Sequence, residues 1–259
     1  MLEKVQLEKV LFLDIETVPQ TSSFTEMDET SKKLFALKNR SKFASISSDE
    51  NFKNKTEDEI HEEVFKQTGG ILAEFGKIIC ITVGFVRESR TGKQLRLKSF
   101  YHDDEETLLK GFVKLLDENY NTPYHILCGH NAKEFDFPYI CRRLLINGMK
   151  LPFTLDIAGK KPWEIAHLDT MELWKFGDYK AYTSLSLLCH VFGIPTPKDD
   201  ISGADVARVY YQNEKDIYAS GLERIKTYCE KDVLALTQLF LKMRGDSLLQ
   251  EDEIYFSES

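Results

Sequence analysis

Asp14 and Glu16 stand two residues apart in KVLFLDIETVPQ, directly after the unbroken apolar run Val10-Leu11-Phe12-Leu13. Such a run is the pattern of a strand covered on both faces. Side chains at i and i+2 share a strand face, so both carboxylates point the same way from the end of a buried element. Two like charges held that close repel and lose hydration unless a cation or a shared proton compensates. A third acid, Asp136, sits between Phe135 and Phe137 in GHNAKEFDFPYI, where Asn131 can bond the turn or orient the carboxylate. A fourth, Asp232, falls inside the apolar stripe Leu222, Ile225, Cys229, Leu236, Leu239 and Phe240 when LERIKTYCEKDVLALTQLF is read as a helix. Tyr228, one turn earlier, shares its face.

Each signal alone has an ordinary explanation. Asp-x-Glu recurs at Asp103/Glu105 and Asp104/Glu106 in a helix start, Asp136 suits a helix N-terminus, and Tyr228 with Asp232 suits a core margin beside a solvated helix end. Together, four carboxylates that each emerge from an apolar element are accounted for at once by an all-oxygen site for two hard divalent cations, Mg²⁺ or Mn²⁺.

The elements that must position these acids follow in mixed order. After the first strand comes a polar, lysine-rich stretch from about 20 to 70, read as an insertion of two or three amphipathic helices with the serine-rich FASISSDENFKNK as a loop. GKIICITVGFVRE (76–88) and KQLRLKSFYH (93–102) read as an antiparallel hairpin across SRTGK. A helix with acids in its first turn, a strand (PYHILCGHN), a helix with Pro138 in its first turn, a short strand (EIAHLDT) and a helical second half complete the chain. The expected architecture is α/β, a mixed five-stranded sheet flanked by helices, in one domain over 1–245, with 246–259 an acidic tail.

Composition narrows the function. The chain has 259 residues, 42% hydrophobic and 29% charged, as a soluble globular protein does. Its start is too charged for a signal peptide and no apolar run approaches a membrane span, so a cytoplasmic location without membrane contact is expected. The five cysteines are odd in number and lack a CxxC pair, which indicates neither a disulfide framework nor a zinc site. A net charge of −8 argues against coating long nucleic acid by general basicity, though not against a short, metal-assisted grip on one strand end.

In these motifs the sequence resembles the DnaQ-like 3′-5′ exonucleases of the RNase H-like fold, in the class named for four acids and a tyrosine (DEDDy). LDIET is similar to that family's first motif, HNAKEFDFPYI to its second and YCEKD to its third. The wording is nearest to stand-alone predicted PolB-like exonucleases and the proofreading domains of family B DNA polymerases. The sister class has a histidine where this chain has Thr227. The resemblance implies that Asp14, Glu16 and Asp232 hold one metal, that Asp14 bridges to a second, and that Asp136 acts largely through water. It further implies that Tyr228 orients the attacking water and that nucleoside 5′-monophosphates leave the 3′ end of single-stranded DNA, taken in preference to RNA. A noncatalytic nucleic-acid-binding or adaptor module of the same fold is the alternative of a different class.

Substrate contacts are assigned to the backbone near Ile15, to Asn131, and to Phe135, Phe137 and Tyr182 as stacking platforms or core aromatics. Lys133, Arg142, Arg143 and Lys180 are either phosphate contacts or solvated surface, and His130 and His167 read as structural. The insertion's lysines at 32, 33, 38 and 42 are expected to flank the substrate entrance, the other reading being a solvated decoration or protein-binding surface.

Overall fold

The apolar run that precedes Asp14 forms the central strand of a sheet. The computed structural model describes residues 2–47, 54–90, 92–178, 182–195, 201–212 and 220–257. Strand β1 (Val10–Pro19) leads into helices α1 (Glu29–Lys38), α2 (Arg40–Ser47) and α3 (Glu57–Thr68), then the hairpin β2 (Gly76–Ser89) and β3 (Gly92–Tyr101). Helix α4 (Glu105–Asn119), β4 (Ile126–Gly129), α5 (Asp136–Ile146), the two-residue β5 (Leu168–Asp169) and α6 (Thr170–Lys175) follow. Helices α7 (Leu185–Phe192), α8 (Val206–Tyr211) and α9 (Gly221–Arg244) precede β6 (Ile254–Phe256). The sheet order is β5-β4-β1-β2-β3-β6, with β1 antiparallel to β2 and parallel to β4.

Alternation along β1 divides the core in two. Leu11, Leu13 and Ile15 pack against α4 and α5 through residues such as Phe112, Leu116 and Ile140. Val10 and Phe12 face α9, where Val233, Leu236 and Phe240 cover them, and the Phe12 and Phe240 rings meet edge to face at 5.3 Å. Asp14 and Glu16 continue the phase of Phe12, so they emerge on the α9 side. Helix α9 is anchored at both ends: Ser220 and Glu223 form a reciprocal capping box, and Gly245 closes it at φ 86°.

Three expectations are corrected. The sheet has six strands, not five: Ile254–Phe256, inside the stretch read as an acidic tail, pairs in parallel with β3, and Ser257 N–H donates to Leu97 O at 2.8 Å. The segment FASIS, read as loop, lies in α2, because Phe43 and Ile46 pack onto the insertion's own small core of Phe24, Phe35, Val64 and Phe65. Burial of those two side chains outweighs the low helix preference of the serines; the rest of that stretch, 48–53, lies outside the described residues. Arg143, weighed as a phosphate contact, is 5% exposed and paired with Glu105. Among the described residues no helix is long and apolar enough to cross a membrane.

Candidate functional site

The four acids are carried by three elements, Asp14 and Glu16 by β1, Asp136 by α5 and Asp232 by α9. At β1 the ladder with β2 runs regularly to Glu16, opposite Cys80, and then slips by one residue so that Thr17 faces Ile78. The extra residue is Ile79 on β2, so this bulge bends the partner strand immediately beyond the two carboxylates. Pairing with β4 has already ended at Phe12 and Cys128, which leaves the Ile15 N–H without a ladder partner on that side. Asp136 supplies it: Oδ1 accepts from Ile15 N at 3.2 Å. The turn that delivers Asp136 is tight, since a Cβ on Gly129 would lie 2.3 Å from that of Ala132, and Asn131 takes a left-handed φ of 59°. Asp169, 1% exposed, holds this turn by accepting from the N–H groups of Asn131 and Lys133 at 2.9 and 3.1 Å.

Helix α9 brings Tyr228, Cys229 and Asp232. Cys229 Sγ lies 3.5 Å from Asp14 Oδ2, and ligand atoms of Asp14, Glu16 and Cys229 all fall within 4.8 Å of one another. The rotation of α9 is fixed behind them by a buried polar chain across the sheet. Thr82, opposite Asp14, meets Ser99 at 2.9 Å; Ser99 donates to Glu230 at 2.7 Å; Glu230 pairs with Lys226 at 3.2 Å. Tyr228 and Asp232 share the same face one turn apart, and their side chains hydrogen-bond.

The electrostatics are those of acids crowded without counter-charge. Burial above all, then Asp136 and Asp232, hold the Asp14 carboxyl well above the usual range, and only the Cys229 thiol opposes the shift appreciably. Glu16, 8% exposed, is raised by burial and then by Asp14 and Asp232. Asp136 is pushed up to about 7 by burial, against the lowering effect of its backbone hydrogen bonds. Burial, then Asp232, Glu16 and Asp14, also raise the Tyr228 hydroxyl, which keeps it a protonated donor. Buried carboxylates crowded in this way are relieved by a cation, and the adjacent carboxylates of Asp14 and Glu16 suit a hard one. The Cys229 thiol, raised by burial and its neighbours, stays a hydrogen-bond donor to Asp14, so the oxygen character of the set is preserved.

A match to a family model covers residues 71–254, and the family is described as a predicted 3′-5′ exonuclease related to the exonuclease domain of PolB. The chain belongs to that family. This PolB-related exonuclease domain is also similar in fold to the family B DNA polymerase of the hyperthermophilic archaeon Pyrobaculum calidifontis, with 15% identity and a TM-score of 0.52. That likeness covers 90% of the present chain and 24% of the polymerase, so the chain spans about a quarter of its length. No curated protein matches the chain. Asp136, Tyr228 and Asp232 lie within the residues matched by the family model, and β1 brings Asp14 and Glu16 to them.

Of the other sequence-derived candidates in the PolB-related domain, Ile15 and Phe135 line a cleft beside Glu16. Phe137 does not: it is fully buried against the His167 ring at 5.1 Å, so the stacking role is corrected to a core one. Tyr182 is 71% exposed, next to Thr183, whose carbonyl accepts from His130 Nε2 at 2.9 Å. Asn131 Oδ1 is buried with no hydrogen-bond partner among the described residues. Lys133 pairs with Glu172 at 2.9 Å, and Lys180 lies outside the described residues. His130 and His167 are hydrogen-bonded through both ring nitrogens, in keeping with structural roles. Cys229, Glu230 and Asp169 carried no separable signal, since each acts through a partner far away in sequence.

Proposed function

We propose that the chain is a metal-dependent 3′-5′ exonuclease that hydrolyses single-stranded DNA from its 3′ end and releases nucleoside 5′-monophosphates. The observation that carries this reading is the crowding of buried acids: ligand atoms of Asp14 and Glu16 lie within 4.8 Å, burial and then Asp136 and Asp232 raise Asp14, and burial and then Asp14 and Asp232 raise Glu16. Asp14, Glu16 and Asp232 would hold one divalent cation and Asp14 and Asp136 a second. Two such cations supply Lewis acidity at the attacking and leaving oxygens of an in-line phosphoryl displacement.

The chain's own residues do the positioning. Asp136 Oδ1 accepts from the Ile15 N–H, which ties the start of α5 to β1, and Oδ2 would serve the site. Cys229 steadies Asp14 from behind. Tyr228, held protonated, orients the attacking water through its hydroxyl instead of removing its proton. Tyr228→Phe is therefore expected to lower the single-turnover rate by about 10- to 100-fold with little change in KM, because the ring still fills its space. An unchanged single-turnover rate would make Tyr228 a packing residue.

The overall reading is tested by incubating matched end-labelled DNA and RNA strands with Mg²⁺, with Mn²⁺ and with EDTA. Stepwise shortening of DNA from its 3′ end, abolished by EDTA, is expected. Shortening of RNA alone would move the substrate to RNA, and no shortening of either strand would sink the enzymatic reading.

A further inference from the structure

The acids stand at one end of a groove that continues past them. A cleft of about 560 Å³ runs from Glu16 and Phe135 to Lys66 and Gln67 at the end of α3, with Ala204 and Ala207 opposite. A second cleft, about 490 Å³, shares Pro19, Lys66, Ala204 and Ala207 with the first and extends to Arg208 on α8. The shared wall makes them one channel, each half within the ~300–1,000 Å³ typical of ligand sites.

Both banks are tied to the end of β1. On one side a Cβ at Gly70 would lie 3.2 Å from the Val18 carbonyl carbon, and Tyr139 donates its hydroxyl proton to Gly70 O at 2.8 Å. On the other, the Tyr211 hydroxyl donates to Pro19 O. The banks are thus set by the same strand that carries Asp14 and Glu16. The cations along the groove are not the insertion's lysine run. Lys32 pairs with Glu29 at 2.9 Å, Lys38 pairs with Glu74 at 2.7 Å, and neither these nor Lys33 and Lys42 line either cleft. Lys66 does, exposed and without an ion pair among the described residues. Arg208, beyond it, is held by Asp205 at 3.0 Å in an exposed pair of the kind that is easily exchanged for another anion.

We propose that this groove is the track of the single strand behind its 3′ nucleotide, with Lys66 and then Arg208 meeting backbone phosphates upstream of the cleaved bond. The inference rests on the exonuclease reading above. Helix α3 lies before residue 71, where the family match begins, so the Lys66 bank belongs to this chain's insertion while the Arg208 bank lies within the matched residues. A strand that has left the acids lies beyond the reach of their cations, and in a chain of net charge −8 its phosphates need cations placed along the path.

The test compares the full chain with Lys66→Glu and Arg208→Ala, with Lys33→Glu as a reference and the melting temperature as a folding control. Hydrolysis of a dinucleotide and of a strand of about ten nucleotides is measured, together with anisotropy binding of both at several salt concentrations in Ca²⁺. For Lys66→Glu the ratio of kcat/KM, long strand over dinucleotide, is expected to fall about tenfold, and the log–log salt slope for the long strand to flatten by ~0.7 or more. Arg208→Ala should shift both quantities in the same direction, and Lys33→Glu neither. An unchanged ratio and slope in Lys66→Glu, or equal shifts in Lys33→Glu, would overturn the track. If the unmodified chain cleaves nothing, the exonuclease reading fails, and the length-dependent binding arm still decides the groove.

Discussion

Asp14→Asn is expected to lower strand hydrolysis by about 10³-fold or more while raising the thermal midpoint of the metal-free protein. The two effects share one cause. Burial, Asp136 and Asp232 all act on Asp14, so in the proposed site it would be the central ligand as well as the centre of repulsion. Removing its charge leaves the same shape and relieves Glu16, which Asp14 raises. A gain of ~1–3 kcal/mol, or roughly 2–10 °C for a domain of this size, follows.

The sign of the pH dependence follows from the same shifts. A carboxyl whose folded pKa lies above its unfolded value takes up a proton on folding, so its penalty is absent below the unfolded pKa and grows until the folded pKa is passed. With Asp136 pushed up to about 7, the window opens near pH 4 and closes near pH 7. Metal-free protein should accordingly lose stability across that range, and Asp14→Asn should lose less. Added Mg²⁺ or Mn²⁺ should stabilise the unmodified chain more than the variant. Melting curves in EDTA at about pH 5 and about pH 8, with and without metal, check this. A purified Asp14→Asn protein that cleaves at a near-normal rate would end the site assignment.

Glu105→Ala should cost about 3–5 kcal/mol, seen as a fall of about 10 °C or more in the thermal midpoint. Glu105 and Arg143 are 7% and 5% exposed. Arg143 Nε donates to Glu105 Oε1 at 2.9 Å and Nη1 to Ala73 O at 2.8 Å, while Ile78 N donates to Glu105 Oε1 at 2.7 Å and Asn147 Nδ2 to Oε2 at 2.9 Å. The pair joins α4, α5, the exit of the insertion and the start of β2. Taking away the carboxylate strands a buried guanidinium and an amide together. The double variant Glu105→Leu/Arg143→Met removes both charges and should recover much of the loss, whereas Lys32→Ala, in an exposed pair, should move the midpoint little. Equal losses in the single and double variants would show that packing, not the uncompensated charge, sets the cost.

How much of this could be read in advance depends on how local each cause is. Asp14 and Glu16 were legible because an i, i+2 pair after an apolar run needs only the strand period, and Asp232 because a helical stripe makes a charge conspicuous. The hairpin of β2 and β3 and the long α9 were legible for the same reason. The slip after Glu16 was not, since it exists only in the pairing of β1 with β2. Arg143 read as a surface cation because its partner lies 38 residues away. Phe137 stood open between a stacking surface and a core aromatic because sequence does not say which side of α5 meets the core. The helix over FASIS depended on Phe43 and Ile46 finding Phe35, and β6 on a strand formed some 150 residues earlier.

That last strand bears on how the molecule behaves in a crowd. β3 is ten residues long, and without Ile254–Phe256 beside it Leu95, Arg96 and Leu97 would present open backbone donors and acceptors on the outer margin of the sheet. Such a margin is a template for any extended polypeptide, including a second copy of the same hairpin. Three residues, preceded by Glu251, Asp252 and Glu253, cover the middle of that margin and leave a three-residue strand led by acids as the outermost one. The stretch that reads as a trailing acidic end thus gives the sheet a short edge flanked by acids, one of the devices that discourage edge-to-edge pairing.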